Sequence, residues 1–177
     1  MSTQAKITIR DAREEDYESF VQLLVEAYGQ YADVLPDERW EQYKEALQGS
    51  FREGSPIARI VAEQDDKLIG SVQLFASSEE AYGRSDLLIA NPVIRYLAVS
   101  PQTRGQGIAT LLIRESIRRS RELGAERLNL HTSDMMSAAV RLYEHLGFER
   151  AYETDIYNGE TLVKGFRIEL NEAALRI

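Results

Sequence analysis

Hydrophobic residues divide the chain into segments of two rhythms. Ile7 and Ile9 alternate with Lys6, Thr8 and Arg10, the period of two that half-buries a strand. Asp11 marks a turn. Between Glu14 and Tyr31, the residues Tyr17, Phe20, Val21, Leu24 and Tyr28 fall three and four apart, which predicts an amphipathic helix with Gly29 near its end. Pro36, Asp37 and Glu38 open a second helix carrying Trp40, Tyr43 and Leu47, and the stretch Gly49 to Gly54 closes it.

Alternation returns at Ala58, Ile60 and Ala62, and again at Val72, Leu74 and Ala76, on either side of Asp65 and Asp66. This spacing predicts an antiparallel hairpin. The polar stretch Ser77 to Asn91 reads as a mobile loop, either functional or simply solvated. Further on, a strand is expected at Val93 to Val99, a helix at Gly107 to Leu123, a strand at Arg127 to Thr132 and a helix from Met135 to Leu146. Two more strands are expected at Phe148 to Ile156 and Leu162 to Leu170. The sum is an α/β (α+β) chain of about seven strands and four helices. Its strand-helix-strand crossover at Val93 to Thr132 implies one parallel pair, strands 4 and 5. No repeat, linker or low-complexity run breaks the chain, so a single domain over residues 1–177 is expected.

Composition removes several kinds of chemistry. The chain has no cysteine, which excludes disulfides, zinc-thiolate sites and an acyl-cysteine intermediate. A net charge of -8 and a pI near 4.9 repel phosphate backbones, so neither nucleic acid nor an anionic membrane is an expected partner, while a cationic acceptor would be favoured. The opening residues carry neither a charged leader nor an apolar signal core, and no apolar run is long enough to span a bilayer. A cytoplasmic location is the expectation, and no metal is called for.

The chemistry concentrates at Gln102-Thr103-Arg104-Gly105-Gln106-Gly107-Ile108-Ala109, directly after a strand and opening a helix. The first turn of a helix carries N–H groups without intrahelical acceptors, and glycines let the main chain come close to anionic oxygens. A pyrophosphate fits that description; a tight turn built only for packing is the alternative. No Gly-Lys-Ser/Thr ending is present, and Thr110 stands where a dinucleotide fingerprint would have its third glycine.

The downstream counterpart is Leu142-Tyr143-Glu144-His145-Leu146-Gly147-Phe148. A strand ending Leu-Ala-Val-x-Pro, then Gln-x-x-Gly-x-Gly, a helix, a strand and Leu-Tyr-x-x-Leu-Gly-Phe resembles the GNAT superfamily of N-acetyltransferases across roughly Val93 to Tyr152. The resemblance implies a mixed, mostly antiparallel sheet whose parallel pair splays apart, with acetyl-CoA as cosubstrate. It implies that Leu97, Ala98 and Val99 pair with the pantetheine arm and thioester, an amide near Val99 acting as oxyanion donor. Pyrophosphate contacts carry over to Arg104, Gly105, Gln106, Gly107, Ile108, Ala109 and Thr110. Tyr143 matches the family's proton donor to the departing thiolate, although a tyrosine between Leu142 and Leu146 also suits a core.

Two departures stand out. Met136 occupies the place of a frequent asparagine, and Pro92 to Tyr96 lacks the glutamate that many members use as general base. His131, Glu79, Glu80 and Glu26 are the remaining candidates for a base, His131 equally serving as a structural histidine. Tyr28, Tyr31, Trp40 and Tyr43 could cage a cation or fill a core. The arginines at 114, 118, 119 and 121 alternate with Glu115 and Glu122 as a solvated helix face.

The implied activity is direct acetyl transfer to a primary amine, on a small molecule or peptide, in a ternary complex. The rival reading is an acyl-CoA-binding sensor or interaction module with weak or no turnover. The C-terminal strand could pair across a homodimer.

Overall fold

A computed structural model describes residues 6–133, 137–158 and 161–171. Among these, eight strands and five α-helices form: β1 (Thr8–Asp11), α1 (Tyr17–Tyr28), α2 (Asp37–Gly49), β2 (Ala58–Gln64), β3 (Lys67–Phe75), α3 (Ser78–Tyr82), β4 (Val93–Val99), α4 (Ile108–Glu122), β5 (Arg127–Ser133), α5 (Ser137–Leu146), β6 (Glu149–Arg150), β7 (Ile156–Asn158) and β8 (Thr161–Glu169). They fall into two compact units. One holds the residues up to Gln73 together with Tyr96–Glu115, and the other holds Leu74–Arg95 together with the residues from Ser116 onward.

In the first unit the strand order is β1-β2-β3-β4. β1 lies antiparallel to β2, from Thr8 opposite Glu63 to Asp11 opposite Ile60. Asp65 and Asp66 both take positive φ, 52° and 62°, the two left-handed residues of a tight hairpin whose twist matches its strands. Arg10 leaves β1 to bind Asp16 at 2.8 Å and Glu63 at 3.0 Å. The hydrogen bonds to Asp16 from the Arg10 guanidinium and, secondarily, from the Arg13 N–H hold its carboxyl below the ordinary aspartate range. α1 buries Phe20, Leu23, Leu24 and Ala27, and α2 buries Leu47. Phe20 meets Phe51 edge-on at 5.0 Å between centroids.

The N-terminal end of α4 is seated on β3 by the absence of a side chain. A Cβ at Gly70 would stand 2.7 Å from Ile108 Cγ2 and 3.0 Å from Leu112 Cδ1, so only glycine admits the helix so close to the strand. The result fixes where α4 begins.

In the second unit β4 pairs with β5 in parallel, Val93 opposite Asn129. The order continues β5-β8-β6, with β7 also on β8. β5 and β8 run antiparallel from Arg127 opposite Glu169 to Ser133 opposite Val163. The expected parallel pair of strands 4 and 5 in a mostly antiparallel sheet is therefore present. Leu128, Leu130, Phe166 and Ile168 are buried along β5 and β8.

Two expectations need correction. Ser77 to Asn91 is not a structureless loop: Ser77 caps the short α3 by accepting from Glu80 N–H, and Gly83 ends it in the left-handed conformation. Ser78 Oγ, buried, donates to the Arg84 carbonyl at 2.8 Å. Ala81 and Ile89 pack on Phe75 and Val93. The strand expected over Phe148 to Ile156 is also broken, into β6 and β7 around a 3-10 turn at Tyr152–Thr154. Arg150 and Asp155 clasp that turn through two hydrogen bonds of 2.7 and 2.8 Å. Thr154 Oγ1 donates to the Ala151 carbonyl at 2.7 Å. A local polar bond of this kind competes with a ladder and wins here.

Candidate functional site

After β4, Pro101–Thr103 make one turn of 3-10 helix, and Arg104 is extended. Gly105 and Gly107 then take φ of 87° and 78°, a left-handed region in which a side chain is strained. A Cβ at either would meet no atom within 4 Å. Packing therefore does not demand these glycines; backbone conformation does, and the main chain at both is open to approach. Leu111 N–H donates to the Gly107 carbonyl at 3.1 Å, so the amides of Gly107, Ile108, Ala109 and Thr110 precede the first intrahelical acceptor of α4. The buried Ile108 anchors this turn against Gly70. Such an array suits anionic oxygens.

Arg104 is turned differently from its neighbours. Its guanidinium donates to Gln30 Oε1 at 3.2 Å and to the Ala27 carbonyl at 3.4 Å, at the end of α1. Burial raises the pKa of the nearby Tyr31 phenol, while the Arg104 charge opposes that shift.

The orientation of the last peptides of β4 follows from their neighbours. Ser100 N–H donates to the Ile69 carbonyl at 2.8 Å, and the Ala98 carbonyl lies on the β3 side, 3.3 Å from where a Gly70 Cβ would stand. No peptide in the described chain is cis. In a trans peptide the N–H points opposite its C=O, so Val99 N–H faces away from β3. Leu97 C=O lies on that same outer edge, where Tyr28 Oη donates to it at 2.8 Å. Of the three residues that resemblance nominates, Leu97 and Val99 thus present main-chain groups outward, and Ala98 turns its own toward β3. Tyr96, with φ of 58°, interrupts the strand just before them.

Tyr143 lies on α5 in the second unit, buried, its ring 5.9 Å from that of Phe148. Phe148 N–H returns to the Tyr143 carbonyl at 2.9 Å, and Gly147 turns the chain with φ of 104°. The motif thus ends α5 and starts the following segment. Met136, and Met135 where the last helix was expected to begin, lie outside the described residues.

His131 has both ring nitrogens engaged. Nε2 is 2.7 Å from the Thr154 carbonyl, which can only accept, so Nε2 carries the proton; Nδ1, 3.0 Å away, then accepts from Tyr82 Oη. Burial holds its pKa below the ordinary histidine value. Arg95 stacks over the Tyr82 ring at 5.0 Å and donates to the Ala81 carbonyl. This arrangement fits the structural role for His131. Glu79 and Glu80 are exposed on α3, and Glu26 accepts from Gln22 on α1.

The aromatics of α1, α2 and the 3-10 turn Gly29–Tyr31 between them are partly a core: Tyr28 is buried, 5.6 Å from Tyr43 and 6.2 Å from Tyr31. Arg118 pairs with Glu122 on the exposed face of α4. The Tyr28–Leu97 and Tyr82–His131 contacts were not foreseen, since each joins residues far apart in sequence with no motif between them. Among the described residues no cluster of three or more His, Asp or Glu is placed to hold a metal ion, and no helix is long and apolar enough to cross a membrane.

The left-handed glycine turn and the parallel β4–β5 pair stand where the resemblance places them. Residues 11–148 match the acetyltransferase (GNAT) family, and the chain belongs to that family. Rat N-acetyltransferase 8B is 38% identical over 90 residues, 51% of this chain and 38% of that protein. The E. coli uncharacterized N-acetyltransferase YjgM is 43% identical over 49 residues, 28% of this chain and 29% of that one. The matched stretch thus spans well under half of these relatives.

Among solved structures, the PaiA N-acetyltransferase of Thermoplasma acidophilum in complex with coenzyme A aligns with a TM-score of 0.67 at 18% identity, covering 90% of this chain and 98% of that one. YncA of Salmonella typhimurium, solved with its cofactor acetyl-CoA, aligns with a TM-score of 0.60 at 16% identity, covering 95% and 96%. At such identities the likeness is one of fold.

Proposed function

We propose that this protein is an acetyl-CoA-dependent N-acetyltransferase that moves the acetyl group to a primary amine by direct attack. The observation that carries the reading is the pairing of an outward Val99 N–H with an open left-handed turn that leads into α4. In this reading the amides of Gly105 to Thr110 hold the diphosphate of acetyl-CoA, Arg104 adds positive charge beside them, and the outer edge at Leu97 and Val99 takes the pantetheine arm. Val99 N–H donates to the thioester oxygen, where negative charge develops as the amine adds to the carbonyl carbon. The C–S bond then breaks and the thiolate takes a proton from Tyr143, while the proton that the attacking nitrogen gives up passes to solvent, from which the phenol is restored. A chain without cysteine has no thiol to carry the acetyl group, which favours a ternary complex over a cysteine-bound acyl intermediate.

The test is titration calorimetry with acetyl-CoA, followed by thiol release in the presence of primary amines, from small amines and polyamines to peptides with free N-termini. Binding with sustained release supports the proposal. Binding without release from any amine favours a CoA-responsive module without turnover, and no binding ends both readings.

A further inference from the structure

The outer edge of β4 carries more than the Val99 amide. The Leu97 carbonyl stands on the same edge, one peptide earlier, and Tyr28 Oη donates to it at 2.8 Å from the end of α1. Just upstream, Tyr96 is left-handed. The alternation of the extended strand is broken there, so the orientation of the Leu97 peptide is not inherited from Val93–Arg95. On the β3 side, Ser100 N–H is tied to Ile69. Tyr28 supplies the corresponding tie on the outer side, and the two bracket Ala98 and Val99.

The phenol is suited to this task. Tyr28 is only 9% exposed, its ring packs against Tyr31 and Tyr43, and a tyrosine has two side-chain torsions to restrain. The hydroxyl therefore sits at the end of a stiff lever. Burial of the ring alone would require a phenylalanine; the hydroxyl is aimed at one main-chain oxygen in the strand proposed to receive the thioester.

We propose that Tyr28 is a positioning residue for the acetyl-CoA thioester: by holding the Leu97 carbonyl, its hydroxyl fixes the peptides around Ala98 and so aims Val99 N–H at the thioester oxygen. The proposal rests on the reading of Val99 as that donor. It gives a contact between a helix and a strand a consequence that depends on the ligand. Both ligands carry the pantetheine arm, but only acetyl-CoA has the thioester carbonyl, so a misaimed Val99 amide weakens acetyl-CoA more than CoA. A tie that merely fastens α1 affects both alike.

The experiment is calorimetric titration of the full chain with acetyl-CoA and, separately, with CoA, for wild type, Tyr28→Phe and Tyr31→Phe. Tyr28→Phe keeps the ring and removes only the donor. We expect its acetyl-CoA Kd to rise about fivefold, the size of one lost neutral hydrogen bond. Its CoA Kd should move by less than about twofold, and Tyr31→Phe should change neither. If Tyr28→Phe weakens both ligands equally, or weakens neither, the positioning role is wrong even though the functional reading stands. Wild type that binds neither ligand would instead remove the functional reading itself. Should the variant be less stable, the difference between the melting-temperature shifts given by the two ligands reads the same ratio.

Discussion

Gly105 and Gly107 can be set beside Gly70 and Gly165, because the two pairs exclude side chains for opposite reasons. At the first pair a Cβ would meet nothing, and the constraint is the left-handed backbone. At the second pair the space itself is taken. A Gly70 Cβ would press on Ile108 and Leu112, and a Gly165 Cβ would collide with Thr154 Oγ1 and stand 3.0 Å from the Ala151 carbonyl. One pair shapes a surface that a ligand can approach, and the other lets elements of the protein approach each other. Sequence shows both simply as glycine.

The sharpest way to break this comparison is Gly165→Ala. Thr154 is short and its hydroxyl is bound to Ala151, so it has little room to yield, and we expect a loss of about 3 kcal/mol of stability in urea unfolding. Gly70→Ala should cost less, about 2 kcal/mol, because Ile108 and Leu112 side chains can shift; the same measurement checks it. Gly107→Ala should cost only about 1 kcal/mol of stability yet weaken acetyl-CoA by about tenfold or more in calorimetry. Gly107→Asn should recover part of the stability, since asparagine tolerates the left-handed region. A Gly107→Ala protein that binds acetyl-CoA normally would erase the distinction between the pairs.

The smallest expected effect is one of pH. His131 lies opposite Gly165 in the β5–β8 ladder and holds the Thr154 carbonyl, so it reports on the same clasp. Burial, with Arg84 and Arg95, lowers its pKa against the pull of Thr154 and Asp155. In the unfolded chain the ring takes a proton near pH 6.5, and in the folded chain only at lower pH. Between those values the unfolded state binds more protons, so the contribution is complete above about pH 6.5 and is lost as pH falls. Melting curves at descending pH should show this slope, and His131→Gln should flatten it. Asp16 and Asp155, held low by their hydrogen bonds from Arg10 and Arg150, should add a further loss below about pH 4.

Legibility followed the reach of the forces involved. α2, α4 and β2 are periodic and stand within a residue or two of their expected places, whereas α1 is three residues shorter at each end than expected and β3 begins earlier, at Lys67. The glycine turn was legible because its chemistry is local to a few adjacent residues. The helix α3 was missed because five mostly polar residues carry no periodicity; Ser78 and Ala81 are buried by contacts with Arg84, Ile89 and Phe75 that sequence does not reveal. The strand over Phe148 to Ile156 was misread because apolar alternation cannot foresee that Arg150 will reach across to Asp155. Tyr28 could be placed on a helix face, but not on the Leu97 oxygen.

The left-handed Tyr96 makes the length of β4 a matter of handedness in the site. A deletion upstream of it, among Val93 to Arg95, would shorten the strand and leave the final peptides facing as they do. With the tie of Ser100 to Ile69 setting the frame, removing Ala98 would keep Val99 N–H outward but turn the Leu97 carbonyl inward, away from the Tyr28 hydroxyl.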